Sequence, residues 1–264
     1  TNFEVCQNFL TGQLDIMRAP KSLKLVNLFE NQLGGALCVY THPTVENLYF
    51  GGNKVDGTLN VSQLPPNLVE FHGEQNSMSS PVDFTALPGG LTELWLHENA
   101  FFGSADLTAL PVRLRNLSLY RNKFCGNVDL TRLPADLRHL ICYTNNMEGS
   151  LDLTQLPNSL TDLNLSENAF SGSVDLTRLP DSLQFLDLNE NQLRGDLAIT
   201  ALPWRLQEIL LDGNKFDGRL TIGHILNVHV LEIGNNPIKK VVYENFAENF
   251  LKIDVRKELK RLPH

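Results

Sequence analysis

Leu91-Thr92-Glu93-Leu94-Trp95-Leu96-His97-Glu98-Asn99-Ala100-Phe101 is the stretch whose reading decides the fold. Leu94 and Leu96 alternate with polar and aromatic residues, and a period of two is that of a short strand with one buried face. Asn99 follows three residues after Leu96, where a side-chain amide can pair backbone groups left free by a bend. The same arrangement recurs along the chain. Taking the Asn as origin, the series Asn8, Asn31, Asn53, Asn76, Asn99, Asn122, Asn145, Asn168, Asn191, Asn214 and Asn236 advances by 22 or 23 residues at each step. A fixed period of this size marks a stacked repeat architecture.

Apolar residues recur five and three residues before each Asn, as in Leu117 and Leu119, Leu163 and Leu165, or Ile209 and Leu211, and another recurs two residues after it, as in Phe124, Phe170 and Phe216. A Gly usually follows, then Asp-Leu-Thr-x-Leu-Pro, as in Asp106 to Pro111 and Asp129 to Pro134. The Gly permits a bend, and Leu-Pro forces extended entry to a tight segment with too few residues for a full helix. A short second strand is expected near Gly-x-Val-Asp-Leu and a 3₁₀ turn near Leu-Pro.

The pattern Leu91-x-x-Leu94-x-Leu96-x-x-Asn99-x-Phe101 resembles the leucine-rich repeat family, over roughly residues 1–240. The 23-residue Phe-x-Gly-x-Val-Asp-Leu-Thr-x-Leu-Pro extension is similar to repeats of kinetoplastid protozoan members and, more loosely, to plant-type repeats. The resemblance implies an α/β-type solenoid, mostly β. Its right-handed superhelix carries a parallel concave sheet of about eleven strands, with short second strands and 3₁₀ turns on the convex side. Such solenoids generally bind other proteins.

Two domains of the chain follow: the solenoid over 1–240, its first unit truncated, and a capping segment over 241–264. Thr1 lies seven residues before Asn8, so the chain opens within a repeat; missing upstream sequence or a partner is expected to cover Phe3, Val5 and the open edge strand. After Pro237, Tyr243, Phe246, Phe250, Leu251, Ile253 and Val255 suggest an amphipathic closing segment. Units two and three deviate, with Cys38-Val-Tyr-Thr-His-Pro in place of the Asp-Leu-Thr signature and no Gly in Ser77 to Pro81.

With the residues at −5 and −3 inward, those at −6, −4 and −2 face out on the sheet. The aromatics cluster there: Phe29, Tyr49, Trp95, Tyr120 and Tyr143, with Ile141, form a band over six successive strands, about 25 Å at the strand spacing. Such rings can be partner hot spots, since each removes much area from water at little rotamer cost, or can simply pack flat on one another. His72, His97, Asp187 and Asp212 share the face, and with the band they make the candidate partner-binding set. Asp162, Glu167, Asp187, Glu190, Glu208, Asp212 and Glu232 give an acidic C-terminal half that would steer a basic partner. Arg115, Arg121 and Arg138 are candidates to anchor a carboxylate.

Glu70, His72, Glu74, Glu93 and His97 are the densest titratable group, a weak metal candidate because flat sheet positions splay outward. The same carboxylates could instead move the histidines' charge change toward neutrality. No G-x-S-x-G, G-x-x-x-x-G-K-[ST] or H-E-x-x-H motif occurs, so neither catalysis nor a cofactor is expected. Net charge −8 argues against nucleic acid, and no apolar run is long enough for a membrane span. Cys6, Cys38, Cys125 and Cys142 read as free thiols. Sequons stand at Asn60, Asn116 and Asn164, and compartment stays open.

A non-catalytic module binding a protein or peptide, a basic one included, on the aromatic band is the leading expectation. A structural element, monomeric or weakly self-associating through its first strand, and carbohydrate recognition on the same rings are the alternatives.

Overall fold

A computed structural model describes residues 1–39, 42–223 and 227–244. Eleven strands of three residues each arise where the apolar alternation predicts: β1 (Asn2–Glu4), β2 (Leu25–Asn27), β3 (Asn47–Tyr49), β4 (Glu70–His72), β5 (Glu93–Trp95), β6 (Asn116–Ser118), β7 (His139–Ile141), β8 (Asp162–Asn164), β9 (Phe185–Asp187), β10 (Glu208–Leu210) and β11 (Val230–Glu232). They pair in chain order, all parallel, in one sheet. Equivalent repeat positions sit side by side: Glu70 faces Glu93, Phe71 faces Leu94 and His72 faces Trp95.

Sequence columns therefore become spatial columns. The central residue of every strand from β2 onward is buried, as are Leu96, Leu119 and Leu165 at −3, and Phe101, Phe124, Phe170 and Phe216 form a spine at +2. Volumes compensate along a column. Gly73 occupies a −3 position because Phe50, one unit earlier in the same column, reaches into its space; a β-carbon at Gly73 would stand 2.7 Å from Phe50 Cζ.

Each strand ends where the residue before the Asn turns left-handed. Gln75, Glu98, Arg121, Thr144, Glu167 and Glu190 adopt φ of 48–53°, and Gly52 and Gly213 take the same place in their units. That conformation costs a non-glycine residue energy, and the Asn side chain offsets it by satisfying the backbone around the bend. Asn122 Nδ2 donates to the carbonyls of Leu96, Leu119 and Tyr120 at 3.0–3.3 Å, and its Oδ1 accepts from Phe101 N–H at 3.0 Å. One amide thus ties two successive turns together.

The outer side carries shorter ladders, such as Lys123–Asn127 against Asn146–Ser150. These strands centre on Phe124-x-Gly126 and Met147-x-Gly149, slightly before the expected Val-Asp-Leu, and the two glycines supply φ of 80° and 91° there. One ladder stops at Ser77–Met78 and another begins at Phe102–Ser104, across the Ser-Pro unit that lacks the Gly. 3₁₀ turns run at Val61–Gln63 and Phe84–Ala86, the second capped by Asp83 accepting from Thr85, and the units with Asp-Leu-Thr close the bend with the same side-chain bonds. There Asp106 Oδ1 accepts from Thr108 N–H at 2.9 Å and from its hydroxyl at 2.6 Å, which holds the carboxyl below its ordinary range. A strand at Lys240–Tyr243 continues the outer ladder across the expected 240/241 boundary. The rest of the expected cap, including Phe246, Phe250, Leu251, Ile253 and Val255, lies outside the described residues.

Candidate binding face

The −4 and −2 residues project from the main sheet, and Trp95 is half-buried while Leu94 and Leu96 on either side are inside. Two columns of rings result. At −4, Tyr49 lies on His72 with centroids 4.6 Å apart, and His72 lies flat on Trp95 at 4.0 Å and 0°. At −2, His97 stacks on Tyr120 at 4.2 Å and Tyr120 on Tyr143 at 4.4 Å. Trp95 and His97, 6.2 Å apart and tilted, join the columns. The histidines are thus rungs of the stack, which the aromatic count alone did not reveal. Ile141 is half-buried beside them on β7. Phe29 stands apart, packed over Gly51.

Stacking hides ring faces between strands and turns ring edges outward. Burial pushes the phenols of Tyr49 and Tyr120 up to about 12, aided at Tyr49 by its hydrogen bond to Glu70 and at Tyr120 by the Tyr143 phenol. Both remain neutral hydrogen-bonding groups near pH 7.

The five candidate metal ligands do not converge. Glu70 is taken by Tyr49, His72 Nε2 faces Glu93 Oε2 at 3.3 Å, and His97 Nδ1 faces the Ser118 hydroxyl at 2.9 Å. Among the described residues no group of three His, Cys, Asp or Glu is placed to hold a metal. The expected shift of the histidines toward neutrality is also corrected. Desolvation outweighs the neighbouring carboxylates, so His72 falls below its ordinary value and His97 falls to about 4. Glu74 is 4% exposed, folded over Gly51 beside Phe29, and among the described residues its Oε2 has no hydrogen-bond partner. Burial pushes its carboxyl up to about 7.

In the acidic half, Asp187 is buried rather than displayed; it accepts from Asn189 N–H at 3.0 Å and from Asn164 Nδ2 at 3.1 Å, and burial raises its pKa. Asp212 is half-buried, whereas Glu208 and Glu232 are exposed. Arg115, Arg121 and Arg138 are all exposed, and Arg121 is engaged with Glu98 at 3.2 Å. Reading the sequence for aromatics missed His139, whose Nδ1 meets Asp162 Oδ2 at 2.8 Å, although both lie in the −6 column. It also passed over Trp204, 62% exposed with the Arg205 guanidinium 4.7 Å above its ring. Cys142 is fully buried and its thiol is pushed up to about 12.

Eleven Asn-closed turns, a parallel sheet one strand per turn and a leucine spine together define a leucine-rich repeat solenoid. Solved structures similar to the chain have the same fold. A TDR receptor matches at TM-score 0.73 and 23% identity, over 92% of this chain and 47% of its own. The Arabidopsis receptor kinase HAESA ectodomain, in complex with an IDA peptide hormone, matches at TM-score 0.72 and 22% identity, over 89% of this chain and 45% of its own. YopM from Yersinia enterocolitica matches at 0.57 and 22% identity, over 92% and 59%. The chain spans about half the length of the two receptors. No family model and no curated protein sequence matches it. Among the described residues no helix is long and apolar enough to cross a membrane.

Proposed function

We propose that the chain is a non-catalytic module that holds an extended peptide or protein segment along the two ring columns of its main sheet. The stacking of Tyr49, His72 and Trp95, and of His97, Tyr120 and Tyr143, carries this reading. Rings already ordered against one another have little rotamer freedom left to lose, so a partner that covers them meets a preorganised surface. The exposed carboxylates of Glu208 and Glu232 favour a partner with basic residues toward the C-terminal strands. Similar solved structures hold peptide hormones, which supports the class of ligand.

A library of displayed random peptides, panned on the chain, supplies ligands for the test. Trp95→Ala and Tyr120→Ala are each expected to weaken a selected peptide by about 2 kcal/mol, roughly 30-fold. Unchanged affinity in both, with the fold intact, refutes the site.

A second reading rests on Phe3, Phe9, Leu10 and Met17, which are 38–84% exposed around β1 and the turn that follows it. A second copy pairing at this edge would cover them. Sedimentation over a hundredfold range of concentration, with Phe9→Ser as control, distinguishes self-association from a monomer.

A further inference from the structure

The turn that leads into β10 departs from its column. The residue after Leu-Pro is Val112, Ala135, Asn158 and Asp181 in four successive units, and Trp204 in the next. Trp204 is 62% exposed, although the Arg205 guanidinium lies over its ring at 4.7 Å from the centroid. Its turn is pinned on both sides: Leu206 N–H donates to Pro203 O at 3.1 Å, and Asn227 Nδ2, one unit on, donates to Trp204 O at 2.6 Å. A lone exposed ring would mean little. This one is held in place beside an open pocket of about 400 Å³, at the edge where the chain enters the sheet.

Gln184, Gln207 and His229 complete the pocket's lining with Trp204, Arg205 and Asn227. The first three occupy the −7 place of successive units. Gln207 N–H donates to Gln184 O at 2.9 Å and His229 N–H to Gln207 O at 2.7 Å, so the three residues follow one another at about 4.8 Å. Among the described residues, neither glutamine amide, nor the His229 imidazole, nor the Arg205 guanidinium has a hydrogen-bond or ion-pair partner.

The surroundings select a ligand by charge. Among the described residues no carboxylate lines the pocket, and Arg205 repels a cation; Glu208 and Glu232, exposed on the strands that leave it, repel an anion. A neutral ligand remains. The backbone groups of Gln184 and Gln207 are already used between turns, so an added peptide strand finds no edge to pair with. Amides donate and accept, as does a neutral imidazole, while an indole offers an apolar face. A pyranose matches both, since its C–H face is apolar and its rim hydroxyls donate and accept.

We propose that this pocket is a saccharide subsite, in which a neutral pyranose unit of a glycan sets its C–H face against the Trp204 indole and directs hydroxyls to the Gln207 amide and the His229 imidazole. The site lies off the ring columns of the main sheet and is independent of the peptide reading above.

The test titrates cellobiose, maltose, lactose and N,N′-diacetylchitobiose against the chain while both tryptophan indole N–H resonances are followed. Trp204→Phe assigns them, because the sequence has two tryptophans. Glucuronic acid and glucosamine are the charged controls, and glycerol supplies hydroxyls without a ring. At least one disaccharide is expected to shift the Trp204 resonance saturably and to bind about tenfold more tightly than any control. By titration calorimetry, Trp204→Ala should weaken that disaccharide at least about tenfold, Trp204→Phe about threefold, and Gln207→Ala about fivefold, the worth of one neutral hydrogen bond. Both side chains are exposed, so none of these changes empties the core. No saturable shift with any of the four, tighter binding of glucuronic acid or glucosamine, or unchanged affinity in Trp204→Ala overturns the subsite. A shift confined to the Trp95 resonance would place the sugar on the ring columns and overturns it equally.

Discussion

Glu74→Gln isolates an ionisation that works against folding. The Glu74 carboxyl, wedged over Gly51 with one oxygen unpaired, has its pKa raised from 4.5 to about 7 by burial. A carboxyl whose folded value lies above its unfolded value binds a proton more readily when folded. Stability from this group is therefore full below about pH 4.5, declines as pH rises through the window 4.5–7, and is absent above it. At 1.36 kcal/mol per pKa unit, the cost of ionising the folded chain reaches about 3 kcal/mol at pH 8. His97, lowered from 6.5 to about 4, contributes with the opposite slope, since its stability is lost as pH falls through 6.5 to 4. The two slopes oppose each other between pH 4.5 and 6.5, which is why the wild-type profile alone is uninformative there. The difference between wild type and Glu74→Gln removes the histidine contribution. Urea unfolding at pH 4.5, 6, 7 and 8 should show Glu74→Gln gaining about 3 kcal/mol relative to wild type from the lowest to the highest pH, whatever its constant offset. A difference that stays flat across that range refutes the assignment of a desolvated, unpaired carboxyl at this place.

Asn122→Ala removes three donated and one accepted hydrogen bond, and at about 1 kcal/mol each it should cost roughly 2–4 kcal/mol in urea unfolding; a change under 0.5 would contradict the role given to the Asn column. Leu117→Ala empties a place in the central strand layer and should cost about 2–5 kcal/mol by the same measurement. Iodoacetamide at pH 8 should label the exposed Cys6 and Cys125 on the native chain and leave Cys142 untouched until denaturant is added, as read by peptide mass mapping. In a glycosylating host, sugar should be found at the exposed Asn60 and not at Asn164, whose amide is bonded to Asp187; a fully occupied Asn164 would show that the β8 side chains point elsewhere.

The register of the sheet was legible in the sequence because two periods coincide, two residues within a strand and 22 or 23 between strands, and together they fix which side chains face out. What the rows of sequence hid, the columns contain. Glu74 folds over a glycine because Gly51 precedes it in the −2 column; Phe50 fits because Gly73 follows it in the −3 column; His139 meets Asp162 because they are successive members of the −6 column. Each is a pair of residues 23 apart, invisible to a search for local motifs and plain once the units are stacked. The left-handed residue before each Asn was less legible, since Gln, Glu, Arg and Thr share the position with Gly and Asn and nothing in their composition announces φ near 50°. There the bonds of the following Asn, not the preference of the residue itself, decide the backbone. Side-chain rotation was the remaining gap: a tyrosine or histidine facing out on a strand can stack along the sheet or stand clear of it, and only its column neighbours choose. Where those neighbours are rings, as from Tyr49 to Trp95, the side chains stack; where the next neighbour is Ser118, the column of rings ends and Trp95 meets His97 of its own unit, tilted at 6.2 Å.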